Sequence, residues 1–204
     1  MKFAPDGYRS MATTGILALL SIFLCPWSLA VTLPLFAVTF WFYRDPDRTP
    51  DGDGIVSAAD GVVVEIFETE HPYTGRALKV GVFMNPFNVH VNRMPSSGEI
   101  QFLEYVPGKK WVASAEKASE VNERHYMGYM SEHGPVLVCQ IAGLLARRIV
   151  CRHKKGEVLE RAQRFGMIKL GSKVDVYLPL GVKCIVKVGQ KVLAGKTVIA
   201  EARQ

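Results

Sequence analysis

Between Arg9 and Arg44 the chain carries no charged residue. Backbone groups in hydrocarbon must find their hydrogen bonds within the segment, so a run of this kind folds as helix in a membrane or helix in a core. One span takes about 20 residues and two take about 40. The run falls between those lengths, and Pro26, which cannot donate to a helical ladder, stands in its middle. A single tilted span and a short helical hairpin dipping into one leaflet are both open, and the hairpin is the form expected here. Trp27 would sit at its turn, and Trp41 and Tyr43 near the interface. A cleaved signal peptide fits poorly, because the stretch is long and ends in Phe40-Trp-Phe-Tyr-Arg44 without small residues for a cleavage site. The alternative is a buried core helix. Residues 1–43 are therefore read as a membrane-associated helical segment and 44–204 as a separate domain.

That domain begins with Arg44-Asp-Pro-Asp-Arg-Thr-Pro50, whose two prolines and mixed charge read as an extended linker at the membrane surface. From Ile55 onward, short Val- and Ile-rich runs at 61–66, 78–83, 98–103, 136–141 and 148–151 are separated by glycine, a mainly β pattern. Residues 113–124 are the one helical possibility, but they lack an apolar stripe and read equally as a loop. The tail from Val182 to Ala200 has the strand–turn–strand look of a lipoyl-type unit, and so does Asp60-Gly61 with the strand after it. The expected fold is a compact β-sandwich of lipoyl-like (barrel-sandwich hybrid) β units.

The formal charge of +6 suits an anionic partner, whether a membrane surface, a substrate or nucleic acid. The absence of a long Lys/Arg run or an aromatic-basic repeat speaks against nucleic acid. The four cysteines are scattered with no C-x-x-C pair, which argues against a zinc knuckle or disulfide framework and fits a reducing compartment. No metal is expected.

Near the C-terminus, Phe165-Gly-Met-Ile-Lys-Leu-Gly-Ser-Lys-Val-Asp-Val-Tyr-Leu-Pro179 places Gly171-Ser172 between two apolar, strand-like runs. By pattern this is a strand, a tight bend and a strand. A serine in this position can attack the carbonyl before it and convert the amide to an ester. Elimination then releases the upstream chain and leaves dehydroalanine, which water hydrolyses to a pyruvoyl group and ammonia. The hydroxyl needs a base for this, and the preceding glycine leaves the attacked carbonyl uncrowded. Upstream stand Ile141-Ala-Gly, Ala146-Arg-Arg-Ile-Val-Cys151, Lys155-Gly-Glu157 and Arg164-Phe-Gly-Met-Ile168. Together with Gly171-Ser172 and Val174-Asp-Val-Tyr-Leu-Pro179, this block resembles the phosphatidylserine decarboxylases, in their short form.

The resemblance implies a self-cleaving proenzyme cut between Gly171 and Ser172 into chains 1–171 and 172–204, which stay together without a covalent link. It implies a carboxy-lyase whose cofactor is a pyruvoyl group made from Ser172. That group forms a Schiff base with phosphatidylserine, and the product is phosphatidylethanolamine. No added cofactor is needed, and the place of action is the cytoplasmic face of the cell membrane. His90, in Phe87-Asn-Val-His-Val-Asn-Arg-Met-Pro95, matches a histidine-bearing strand of the family. A second histidine of many longer members is replaced here by Arg93. Asp60, in Val56-Ser-Ala-Ala-Asp-Gly61, matches the aspartate of the family's usual Ser-Pro-Ala-Asp-Gly segment, with Ala58 in place of the proline. By resemblance the two form an Asp60–His90–Ser172 relay of the serine-hydrolase kind. Asn122 and Arg124 are expected to border the site and meet the head group. Lys173 stands where the family more often has arginine or threonine.

Three rival readings differ in class. The same reaction on an ether-linked archaeal serine lipid uses the same head-group chemistry. A pyruvoyl decarboxylase for a soluble amino acid would leave the charge-free run unexplained. A non-enzymatic lipoyl-like carrier would need a lysine in a D-K-A or M-K-M tip, and no such tripeptide occurs.

Overall fold

The structure is a computed structural model and describes residues 2–109, 121–143, 148–169 and 172–202. Gly171 and most of the 113–124 stretch lie outside those residues. The chain divides into two compact units, Met1–Asp47 and Arg48–Gln204.

The first unit pairs β1 (Lys2–Phe3) with β2 (Arg44–Asp45) around two helices, α1 (Tyr8–Leu24) and α2 (Leu29–Phe42). Between them, Pro26–Ser28 forms a 3-10 turn carrying Trp27, which is 90% exposed. Proline suits the first turn of a helix because its missing N–H has no partner there anyway. Thr32 donates to Ser21 at 3.1 Å and ties the two helices together. Ile16, Leu19, Phe23, Leu24, Val31, Leu33 and Val38 all face outward. Pro5–Leu24 is long and apolar enough to cross a membrane by length and composition.

The second unit is built of strands. In chain order they are β3 (Ile55–Val56), β4 (Gly61–His71), β5 (Gly75–Met84), β6 (Val91–Arg93), β7 (Gly98–Val106), β8 (Arg124–Ser131) and β9 (Gly134–Ala142). Then follow β10 (Arg148–Cys151), β11 (Val158–Leu159), β12 (Arg164–Lys169), β13 (Ser172–Pro179), β14 (Val182–Cys184), β15 (Lys191–Val192) and β16 (Val198–Ala202). The protein is thus mainly β, as its alternating Val/Ile runs predict. An eight-stranded sheet runs β11-β7-β8-β9-β13-β5-β4-β15, and two three-stranded sheets run β10-β12-β6 and β14-β16-β3. Val80 and Val82 of β5, Val136 and Val138 of β9, and Val174, Val176 and Leu178 of β13 join Phe165, Ile168, Val182 and Ile199 in one core. Alternate residues on the same strands, Leu137, Cys139, Ile141 and Tyr177, form a second cluster with Ala77.

The strand–bend–strand reading around Gly171-Ser172 holds for the two strands but not for their pairing. β12 lies in the β10-β12-β6 sheet, and β13 lies between β5 and β9 in the large one. The chain changes sheets here, which two apolar runs around a glycine cannot reveal.

Candidate active site

Ser172 is the first residue of β13, opposite Met84 on one side and Ala142 on the other. It is fully buried. Its side chain has the parity of Val174 and Val176, so it faces the main core. The hydroxyl donates to the thioether of Met84 at 3.4 Å. A thioether is a weak acceptor, so this contact places the serine without tying up its oxygen lone pairs.

Met84 also connects Ser172 to a polar group in the core. Asn92 Nδ2 lies 3.9 Å from the same sulfur, and Gln140 Nε2 donates to Asn92 Oδ1 at 2.8 Å. Both amides are buried. Gln140 stands opposite Val174. The sequence carries a signal for it: in Val136-Leu-Val-Cys-Gln-Ile141 the glutamine takes the parity of the core valines. A buried amide at such a position needs a partner, and here it is Asn92.

His90 is fully buried at the end of the β5–β6 loop, where its carbonyl accepts from Ile168 N at 3.4 Å. The loop is fixed by its own hydrogen bonds. Asn85 N donates to Asn88 Oδ1 at 2.9 Å, Phe87 N to Asn85 Oδ1 at 2.8 Å, and Asn88 N to Asn85 O at 3.0 Å. His90 Nδ1 lies 2.9 Å from the carbonyl of Asn88. A carbonyl only accepts, so Nδ1 carries the proton and the basic lone pair of the neutral ring is on Nε2.

Asp60 lies just before β4. Its carboxylate takes both guanidinium N–H groups of Arg48, the Nη2 contact at 2.8 Å, and the backbone N–H of Ala194 at 2.8 Å. Arg48 Nη1 also donates to the carbonyl of Ala194 at 3.0 Å. The ion pair is nearly dry, with side-chain exposures of 10% for Arg48 and 4% for Asp60. Gly61 follows because β-carbon atoms have no room: one would lie 2.0 Å from the carbonyl oxygen of Phe83. The described contacts join neither Asp60 nor Ser172 to His90, and the carbonyl of Asn88 occupies the proton of Nδ1. Arg48 is a residue that sequence reasoning missed, having been assigned to a linker.

Asn122 is fully buried and donates to the carbonyl of Ala142 at 2.8 Å, the residue beside Ser172 in the sheet. Arg124 Nη1 lies 3.4 Å from the carbonyl of Asn122, and its guanidinium lies 5.8 Å from the ring centre of Tyr126. Among the described residues no group of three or more His, Cys, Asp or Glu side chains is arranged to hold a metal ion.

The family model described as phosphatidylserine decarboxylase matches residues 35–200. A phosphatidylserine decarboxylase proenzyme of Solidesulfovibrio magneticus is 49% identical over 206 residues, covering 97% of this chain and 95% of that protein. Proteins of the same name from Chlorobium luteolum and Symbiobacterium thermophilum are each 44% identical over 207 residues. The alignments cover 96% of this chain and 98% of the first relative, and 98% of this chain and 96% of the second. With a match of that extent, running through β13 and its first residue, the chain belongs to the phosphatidylserine decarboxylase family.

Proposed function

We propose that this decarboxylase cuts itself between Gly171 and Ser172 and uses the resulting pyruvoyl group to convert phosphatidylserine to phosphatidylethanolamine. The observation that carries the reading is the placement of Ser172: a buried hydroxyl at the first position of a central strand, held among the described residues by a thioether. The residues around it fit a small carbonyl group. Met84 lies against the hydroxyl with Asn92 behind its sulfur, and a thioether leaves the hydroxyl without a strong acceptor there.

His90 is the proposed base that takes the Ser172 proton, through Nε2 and by way of a water where it does not reach directly. In the neutral ring the Asn88 carbonyl holds the proton on Nδ1 and leaves the lone pair on Nε2. Asp60 is proposed to support His90 in a relay, and Asn122 and Arg124 to border the head-group site. Once formed, the pyruvoyl carbonyl supplies an electron sink for loss of carbon dioxide from an amine-bearing substrate. The apolar first unit is proposed to hold the enzyme at the cytoplasmic face of the cell membrane as a helical hairpin, beside its lipid substrate. Residues 44–204 form the proposed catalytic domain, with lipoyl-like β units. After the cut, 1–171 and 172–204 remain one non-covalent complex. Four free cysteines accord with a reducing compartment.

Intact-mass analysis tests this directly. The wild type should give two chains, the smaller starting at position 172 without a free amine. Ser172→Ala should give one inactive chain of 22.6 kDa. Borohydride added with phosphatidylserine should attach the lipid amine to the small chain alone. An uncut chain that decarboxylates phosphatidylserine would refute the mechanism.

A further inference from the structure

On the face of β13 opposite Ser172, four charged side chains lie together, three of them buried and the fourth, Glu65, with its side chain 20% exposed. Lys173 is 2% exposed, Asp175 is fully buried and Lys79 is 7% exposed. Glu65 Oε1 accepts from Lys79 Nζ at 2.8 Å and from Lys173 Nζ. Asp175 lies 3.2 Å from Lys173 and 3.7 Å from Lys79. The group has two positive and two negative members, so the fully ionised cluster is neutral. Burial raises the pKa of Glu65, but hydrogen bonds and charge from the two lysines outweigh it and the carboxyl is held below its ordinary value. Burial raises that of Asp175, and the lysines oppose the rise.

The sheet has made room for the cluster. A β-carbon at Gly81, which stands opposite Asp175, would lie 2.6 Å from Cγ of Glu65 and 2.8 Å from Cε of Lys173. The glycine opens the passage through which the two side chains meet. A buried ionic group is a poor source of net stability, since apolar residues of the same volume do as well. What it provides is discrimination between registers. A slip of β13 by one residue would turn Lys173 and Asp175 into the valine core and carry Ser172 to the opposite face.

We propose that Glu65, Lys79, Lys173 and Asp175 form a register lock that holds position 172 in place after the peptide bond before it is gone. This inference rests on the self-cleavage reading. The membership of the cluster fits it: Glu65 and Lys79 belong to the segment before the cut, Lys173 and Asp175 to the segment after it, and each side brings one cation and one anion. The contacts Lys173–Glu65 and Asp175–Lys79 cross between the two chains. While the chain is whole, the covalent bond limits sliding. Once it is cut, the first residues of β13 are a strand end, where fraying and slippage begin, and the cluster pins that end within one residue of the reacting group.

The test compares the full-length enzyme with Lys173→Met and Lys173→Arg by intact mass and by decarboxylation of phosphatidylserine over a dilution series. Lys173→Met should still be cut, but its two chains should separate on dilution. Its specific activity should be half lost at a protein concentration at least about tenfold above that for the wild type. Lys173→Arg, which keeps the charge, should restore resistance to dilution. In the uncut Ser172→Ala background, the same Met substitution should leave the chain monomeric and folded at every dilution. General destabilisation also favours separation of two chains that fold together, so the control is Ile100→Ala, a core change on β7 remote from the cluster. At an equal fall in Tm of the uncut Ser172→Ala chain, its cut form should resist dilution better than Lys173→Met, and equal separation overturns the lock. If Lys173→Met fails to fold, Glu65→Gln takes its place with the same expected outcome. A cut Met or Gln variant as resistant to dilution as the wild type overturns the lock and leaves the cleavage reading standing. A wild-type chain found whole overturns the cleavage reading and the lock with it.

Discussion

Replacing Asp60 by asparagine keeps the shape of the side chain and removes its charge, leaving Arg48 buried without its counter-ion. Removing one partner of a buried pair costs about 3–5 kcal/mol. Asparagine can still accept from the N–H of Ala194, and the Arg48 side chain keeps 10% of its exposure, so the low end applies. About 3 kcal/mol in a domain of this size lowers Tm by roughly 6–12 °C. Thermal unfolding followed by circular dichroism measures the shift. Arg48→Met should produce a similar fall, since it strands the carboxylate instead. The two variants part company in self-cleavage, measured by intact mass at a temperature where both are folded. If the carboxylate of Asp60 supports His90, Asp60→Asn matures slowly, as His90→Ala does, and Arg48→Met matures normally. Equal maturation of Asp60→Asn and wild type would remove Asp60 from the relay. A Tm for Asp60→Asn within about 1 °C of the wild type would refute the reasoning about the ion pair itself.

Burial holds the imidazoles of His71 and His125 below the ordinary value of 6.5, the former against a small opposing pull from Glu104. A lowered folded pKa means that the folded state binds fewer protons than the unfolded one. The associated stability is present above about pH 6.5 and is lost as the pH falls toward the lowered folded values. Tm should drop over that interval, and His125→Leu should flatten the slope; an unchanged slope would place the acid sensitivity elsewhere. Deleting residues 11–43 should leave a protein that still cuts itself but acts weakly on phosphatidylserine bilayers. Full-length protein that stays out of the membrane fraction at low and high salt alike would refute the anchor.

Strands with strict local periodicity were legible in the sequence. The run at 78–83 became β5 (Gly75–Met84), and the run at 136–141 became β9 (Gly134–Ala142), because alternation between two buried faces is a local property of the chain. Contacts between distant segments were not legible. Arg48 reads as a linker charge, yet its guanidinium reaches Asp60 and the backbone of Ala194, 146 residues away. Lys173 looks like a minor departure beside Ser172, and its burial follows from the order of β13, β5 and β4, which brings Glu65 across Gly81 to meet it. Ser172 was recognisable from the block around it, but Met84, against which its hydroxyl lies, stands 88 residues earlier in the chain. Such pairings depend on sheet order, which no pattern in either segment encodes.

The insertion of β13 between β5 and β9 makes the order of events irreversible in a particular sense. An intact chain reaches this pairing by closing long loops on itself, slowly but at a rate that does not depend on protein concentration. The proposed two-chain enzyme, once denatured, has to recover its central strand from solution. That search is bimolecular, and until it succeeds β5 and β9 present open edges on which wrong strands can add. The proposed cut would therefore convert a molecule that can refold into one that persists chiefly because it unfolds slowly, its lifetime set by the height of a barrier rather than by a return path.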